Sequence, residues 1–182
     1  MKKNVTMLWV ALWLCTVVVV PVWGIEEGQP LPDFSIQAFD GNYYSRVTLA
    51  GKPVLLVFWN TWCSNCLREL PQVNRLAEKF APKGLEILAV NTAINDSETK
   101  ARVYREKYGY KFPIAFDHHF EMGKAFGIQG VPTVFLVDAQ GIVRYKSTKL
   151  PEEMEARYKQ LLGDAPDRAD SGKTGQGGQD VH

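Results

Sequence analysis

Three cysteines in 182 residues are too few for the disulfide framework that holds small secreted domains together. One of them, Cys15, lies in an apolar run near the start, so the folded part owns only Cys63 and Cys66. Histidine is as scarce, limited to His118, His119 and His182. A tetrahedral zinc site, which takes about four ligands, therefore lacks the second cysteine pair or spaced histidines it needs. Charge of one sign is missing too: 21 basic and 20 acidic residues leave a net charge of +1. No field of that size captures nucleic acid, so specificity has to come from a local site. The chain has no internal repeat. With 46% apolar residues it can build an ordinary core, and a bridge between Cys63 and Cys66 would close too short a loop to add much stability.

Charge is wholly absent from Val5 to Ile25, VTMLWVALWLCTVVVVPVWGI, behind a basic start at Lys2 and Lys3. The run approaches the roughly 20 residues that span a bilayer. Pro21 and the following Val22-Trp23-Gly24 also suit a cleaved signal peptide. Residues 1–25 are thus expected to be a signal peptide or an N-terminal membrane anchor, with the domain exported in either case. As a lipid acceptor Cys15 is a poor fit, because bulky Leu14 precedes it. Residues 26–162 carry the periodicities of one domain, and 163–182 (GDAPDRADSGKTGQGGQDVH) are too polar to offset their ordering entropy, so a disordered tail is expected.

Inside the domain, Phe34, Ile36 and Ala38 alternate with polar residues as in a half-buried strand, and after the Asp40-Gly41-Asn42 turn YYSRVTL gives a second short strand or extended segment. VLLVFW (Val54–Trp59) and LEILAVN (Leu85–Asn91) read as strands covered on both faces. Leu67, Leu70, Val73, Leu76, Ala77 and Phe80 recur at helical spacing over Cys63–Phe80, with Pro71 expected to kink the helix. A charged helix over Ser97–Tyr108 is capped by Asp96 or Ser97, FPIAFD gives a short strand, and Glu121–Phe126 a helical turn or two. TVFLVD and IVRYKS flank a hairpin turn, and Pro151 opens a last helix to Leu162. The order predicts an α/β domain with a mixed sheet and a C-terminal antiparallel pair.

Cys63 falls where a buried strand gives way to a helix. Unpaired N–H groups and the positive dipole end stabilise a thiolate there, which makes Cys63 a candidate nucleophile. Cys66 lies one turn on, on the same face and more deeply placed, as a resolving thiol requires. Two other readings stay open: Cu(I) held by the two thiolates with His118 or His119, and a merely structural bridge.

The stretch VLLVFWNTWCSNCLRELP resembles the active-site segment of the thioredoxin superfamily, and more closely its membrane-associated TlpA/ResA-type branch. LPDFSIQAFDG, LAGKPVLLVFW and FGIQGVPTVFLVDAQGIV add to the match, which covers most of Leu31–Leu162. The resemblance implies a thioredoxin fold: a mixed central sheet flanked by helices, with N-terminal extra strands and a central helix–strand insertion made of the Ser97–Tyr108 helix and the next strand. It implies that Pro132 is cis beside the dithiol, that the backbone of Val131 pairs with an incoming peptide, and that Trp62 shields the thiols at the substrate face. It also implies that Glu69 is a buried acid shuttling the proton of the inner cysteine, a task that suits a desolvated carboxylate. The Ser64-Asn65 pair departs from relatives with proline before the second cysteine, which leaves oxidant versus reductant strength open.

The expected protein is a thiol–disulfide oxidoreductase of the cell envelope or periplasm, with Cys63, Cys66 and Glu69 catalytic and Trp62, Val131 and Pro132 binding substrate. No cofactor or resident metal is called for. Its partners would be a disulfide-bearing exported protein, apocytochrome c in cytochrome maturation for example, and a membrane electron donor that re-reduces the dithiol. It is expected to act as a monomer without nucleic acid. The alternatives are a general envelope disulfide reductant and a copper metallochaperone using the same cysteines. A peroxiredoxin does not fit, because no Thr or Ser precedes an isolated reactive Cys in a Pro-rich loop. The exposed His118-His119 pair is expected to be a solvated turn.

Overall fold

The computed structural model of the chain describes residues 24–163. Cys15, nearly all of the expected signal or anchor segment, and the polar tail from 164 lie outside the described residues. Among the described residues no helix is long and apolar enough to cross a membrane.

Val54–Trp59 forms strand β3, and all six of its residues are buried. The two-residue period sends Leu55, Val57 and Trp59 to one face of the sheet, with Cys66, Leu70, Val73 and Tyr158. Val54, Leu56 and Phe58 go to the other, with Ile36, Phe126 and Phe135. Both faces are covered, which is why the sequence there is apolar without alternation.

Two short strands come first, β1 (Ser35–Gln37) and β2 (Tyr43–Ser45), paired antiparallel in a sheet of their own. After β3 the chain runs through α1 (Ser64–Phe80), β4 (Glu86–Asn91), α2 (Glu98–Tyr108), β5 (Ile114–Phe116), α3 (Glu121–Ala125), β6 (Thr133–Val137), β7 (Val143–Ser147) and α4 (Met154–Gly163). The main sheet has the order β5-β4-β3-β6-β7. β3, β4 and β5 are parallel, whereas β6 is antiparallel to β3 and β7 to β6. This is the mixed sheet and C-terminal antiparallel pair that the sequence predicts, and α2 with β5 is the central helix–strand insertion.

Both sheet edges are covered by the N-terminal segment. Gly28 N–H donates to Val143 O and Val143 N–H to Gln29 O beside β7, while Phe39 N–H donates to Ile114 O beside β5. Such covering removes the open edges at which sheets aggregate. Gly24 and Gly127 sit back to back: a Cβ on Gly127, at φ +62°, would fall 2.3 Å from Gly24 Cα. Only glycine meets both the left-handed backbone and the close approach.

Helix α1 buries Cys66, Leu70, Val73, Ala77 and Phe80 at alternating spacings of four and three. Each fully buried aliphatic contributes about 1.5–3 kcal/mol. Leu67 and Leu76 are only partly buried, packed against the same core. Pro71 lies inside the helix on its exposed side, and the helix continues across it from Ser64 to Phe80.

Several boundaries differ from expectation, β5 for one spanning only Ile114–Phe116 of FPIAFD. β1 is shorter than the Phe34–Ala38 alternation: Ala38 donates its N–H to Asn42 O at the turn and bridges Ala115 on its other side. The second N-terminal strand stops at Ser45, where the Thr48 hydroxyl and the Ser45 backbone close a turn. Helix α4 begins at Met154 and not at Pro151: Leu150 and Pro151 are buried, Glu152 and Glu153 form a turn, and Arg157 N–H donates to Glu153 O. From there Met154, Tyr158 and Leu161 bury at helical spacing.

Candidate functional site

Only Asn60-Thr61-Trp62 separate β3 from Cys63, the residue before α1. Cys63 N–H donates to Asn60 O (3.2 Å), closing a turn that ends the strand. Cys63 is the N-cap of α1, with extended backbone (φ −84°, ψ 101°), and its Sγ accepts the Cys66 N–H at 3.1 Å. The sulfur thus takes one of the free N–H groups at the positive end of the helix. Cys63 and Cys66 form a disulfide with 5.2 Å between their Cα atoms. Cys66 is 1% exposed and Cys63 6%, so Cys63 is the more accessible residue of the two.

Facing the dithiol is the loop before β6. The Val131–Pro132 bond is cis, and Val131 O lies 3.5 Å from Cys63 Sγ. Pro132 is buried and Val131 half-buried. A cleft of about 670 Å³ lined by Gly127–Thr133, Lys146 and Thr148 adjoins this loop. On the other side Trp62 is 55% exposed, and its indole N–H donates to Ile94 O (2.9 Å). Below the pair the core is apolar. Trp59 Nε1 there is the one buried side-chain polar atom without a hydrogen-bond partner among the described residues.

Glu69 lies three residues beyond Cys66, half-buried rather than enclosed. Its Oε2 accepts the Leu150 N–H at 3.0 Å, so its hydrogen bond goes to the loop before α4 and not to Cys66.

Asp96 was one of two candidates for the cap of α2. Ser97 takes that role, accepting the Lys100 N–H (3.3 Å), which is worth about 1 kcal/mol. The Asp96 carboxylate turns instead to the dithiol loop. Oδ2 accepts the Thr61 N–H (2.6 Å) and Asn91 Nδ2 (2.8 Å), and Oδ1 accepts the Thr61 hydroxyl (2.7 Å) and the Ser97 N–H (2.9 Å). Desolvation pushes this carboxyl up, but the donors from Asn91, Thr61 and Ser97 together hold it below its ordinary value. Asn60, Asn91 and Thr92 complete the network, all buried. Sequence reasoning missed this cluster. Its signal was the dipeptide Asn-Thr repeated at the ends of two apolar strands, Asn60-Thr61 and Asn91-Thr92.

His118 and His119 are exposed in the turn after β5, where His118 Nε2 lies 3.1 Å from Glu98 Oε2. Among the described residues no three or more His, Cys, Asp or Glu are grouped to hold a metal ion.

The geometry makes a direct statement about reactivity. In the reduced protein, iodoacetamide is expected to modify Cys63 before Cys66, because Cys63 is the N-cap and the more exposed. Peptide mapping after a short pulse reads the order, and faster labelling of Cys66 would reverse the two roles.

The chain is similar to known proteins. A profile described as the AhpC/TSA family matches residues 27–146. The chain is 35% identical over 137 residues to the thioredoxin-like protein YneN of Bacillus subtilis, an alignment covering 74% of this chain and 79% of that protein. It is 36% identical over 120 residues to the thiol-disulfide oxidoreductase ResA of Geobacillus thermodenitrificans, covering 66% and 68%. Among solved structures, the pneumococcal exposed lipoprotein thioredoxin of Streptococcus pneumoniae superposes with a TM-score of 0.60 at 27% identity, over 72% of this chain and 98% of that one.

Proposed function

The chain belongs to the AhpC/TSA family as a thioredoxin-like thiol–disulfide oxidoreductase, and from that premise we propose that it reduces disulfides of specific exported proteins, with apocytochrome c as the first candidate. One observation carries this reading: the Cys63–Cys66 disulfide at the start of α1, with Cys63 Sγ 3.5 Å from the Val131 carbonyl. The oxidised pair is the product of the proposed cycle. Reduction by a membrane dithiol donor starts the next turn.

In that turn the Cys63 thiolate attacks one sulfur of the substrate disulfide. A Cys63–substrate mixed disulfide forms, and the other substrate sulfur leaves as a thiolate that takes up a proton. Cys66, having lost its proton, then attacks Cys63 Sγ. The Cys63–Cys66 bond forms, the mixed disulfide breaks, and the substrate departs as a dithiol. Two electrons have passed from the protein to the substrate. A peptide laid along the Val131 backbone and the adjoining cleft brings its disulfide to Cys63. Exposed Trp62 covers the opposite side.

Export is supported by the uncharged run Val5–Ile25 behind Lys2 and Lys3, acting as an anchor or a cleaved signal. The pneumococcal structural relative is an exposed lipoprotein. The near-neutral net charge fits recognition by local shape over long-range steering.

The experiment offers the reduced protein a peptide carrying the apocytochrome Cys-x-x-Cys-His disulfide, with insulin and a small aromatic disulfide alongside. The expected result is reduction of the cytochrome peptide well ahead of insulin, with dithiothreitol closing the cycle. Equal rates on peptide and insulin would favour a general envelope reductant. Stoichiometric Cu(I) surviving desalting, with no exchange on any disulfide, would replace the enzyme with a copper carrier.

A further inference from the structure

Two Asn-Thr pairs end the neighbouring parallel strands β3 and β4, with Trp59 in register with Asn91. Asn60 and Asn91 are 0% exposed and Thr92 is 1% exposed. Buried amides and hydroxyls are tolerated only when bonded, and here Asn60, Thr61 and Asn91 all donate to a single carboxylate, that of Asp96. Thr61 gives Asp96 both its N–H and its hydroxyl. Asn91 Nδ2 reaches Oδ2 at 2.8 Å and Asn60 Nδ2 at 3.4 Å, while Thr92 Oγ1 donates to Asn60 Oδ1 at 2.7 Å. Ala93 and Asn95, just before Asp96, hold left-handed backbones (φ +61° and +51°) that non-glycine residues seldom adopt. Between them, Ile94 O accepts from Asn60 Nδ2 and from the Trp62 indole.

Two loops are thereby clamped together, the one that delivers Cys63 and the one that follows β4. We propose that Asp96 is a positioning residue for Cys63, holding the Asn60-Thr61-Trp62 link through Thr61 so that the sulfur stays aligned with the N-terminus of α1. The inference rests on the reading of Cys63 as the exchanging thiol. The link is only three residues long, and Thr61 is fixed by both of its donors on one carboxylate. A shift of that link moves the N-cap directly. Stabilisation by the helix end falls off within the first turn, so a small displacement weakens the thiolate, and reactions that depend on alignment lose rate steeply with misplacement.

The test separates position from charge. Thr61→Val keeps shape and leaves every charge in place, Asp96, Arg68 and Glu69 included, but removes the hydroxyl bond to Asp96. Thr61→Ser restores that hydroxyl. For each protein the rate of Cys63 alkylation is followed against pH in the reduced state, alongside reduction of a small aromatic disulfide. Thr61→Val should move the alkylation midpoint up by about one pH unit, a roughly 10-fold loss of thiolate below both midpoints. Thr61→Ser should stay with the wild type. A Thr61→Val profile matching wild type, with only a lower unfolding midpoint, would make the network a structural clamp and overturn the proposal. So would a Thr61→Ser profile displaced as far as that of Thr61→Val. Should Thr61→Val not fold, Thr61→Ala, which also removes the hydroxyl bond to Asp96, is read in its place against the same two outcomes. Failure of the underlying reading looks different: wild-type Cys63 itself would then be inert toward both reagents.

Discussion

Cys66→Ser is expected to stop turnover at the mixed disulfide and turn the protein into a trap for its substrate. Cys63 would still stand at the start of α1, and its attack on a substrate disulfide does not use Cys66. What is lost is the second attack, since a serine hydroxyl does not displace a sulfur from a disulfide. Steady-state reduction should fall by at least about 100-fold, whereas the first-order approach to the mixed disulfide should change little. Cys66 is 1% exposed in the core face of α1, and serine is slightly smaller, so the fold should persist with a modest loss of stability. Mass spectrometry of the mixed product should find substrate on Cys63 alone. Cys63→Ser is the matching control and should form no adduct. Turnover by Cys66→Ser near the wild-type rate would show that an external thiol, and not Cys66, resolves the complex. An adduct surviving on Cys63→Ser would show that the nucleophile had been misassigned.

The parts of this mechanism differ in how plainly the sequence displays them. Strand β3 is legible because six consecutive apolar residues admit few other environments, and α1 because Leu70, Val73, Ala77 and Phe80 repeat at helical spacing. The meeting of the two places Cys63 at a helix start from local pattern alone. Pro132, 66 residues further on than Cys66, could be brought to the dithiol only through the resemblance of VLLVFWNTWCSNCLRELP and FGIQGVPTVF to a known family. The Asp96 network had no such help. Its bonds span 35 residues from Thr61 to Asp96 and 31 from Asn60 to Asn91. In sequence, an Asp followed by Ser before a charged helix reads as a cap, because capping is a local rule and the pull of a distant buried amide is not. The start of α4 differs because Pro151, a good first-turn residue by local rule, is instead buried against the domain, and a turn at 152–153 precedes the helix.

Glu69→Gln gives the other large effect. The half-buried carboxylate is one helical turn from Cys66 and accepts the Leu150 N–H through Oε2. Resolution requires Cys66 to surrender its proton, and a carboxyl group on the same helix face can take it and return it. The same negative charge opposes the inner thiolate, so the residue acts on both the timing and the route of deprotonation. Glutamine matches the shape and keeps an oxygen for the Leu150 amide, so the far-ultraviolet spectrum and the packing of Leu150 should survive. It has neither the charge nor a proton to relay. Resolution of a preformed Cys63 mixed disulfide, followed by stopped flow, should therefore slow by roughly 100-fold, the size of general acid–base assistance. The pH dependence of that step should shift as well, whereas alkylation of Cys63, which does not need the inner proton, should stay near the wild-type rate. If resolution runs within about twofold of wild type at every pH, far short of that assistance, Glu69 is an anchor for the loop before α4 and nothing more. Loss of stability with an unaltered pH profile would point the same way. A slowed step whose profile has moved, in a protein that still holds its fold, is the result that assigns the proton to Glu69.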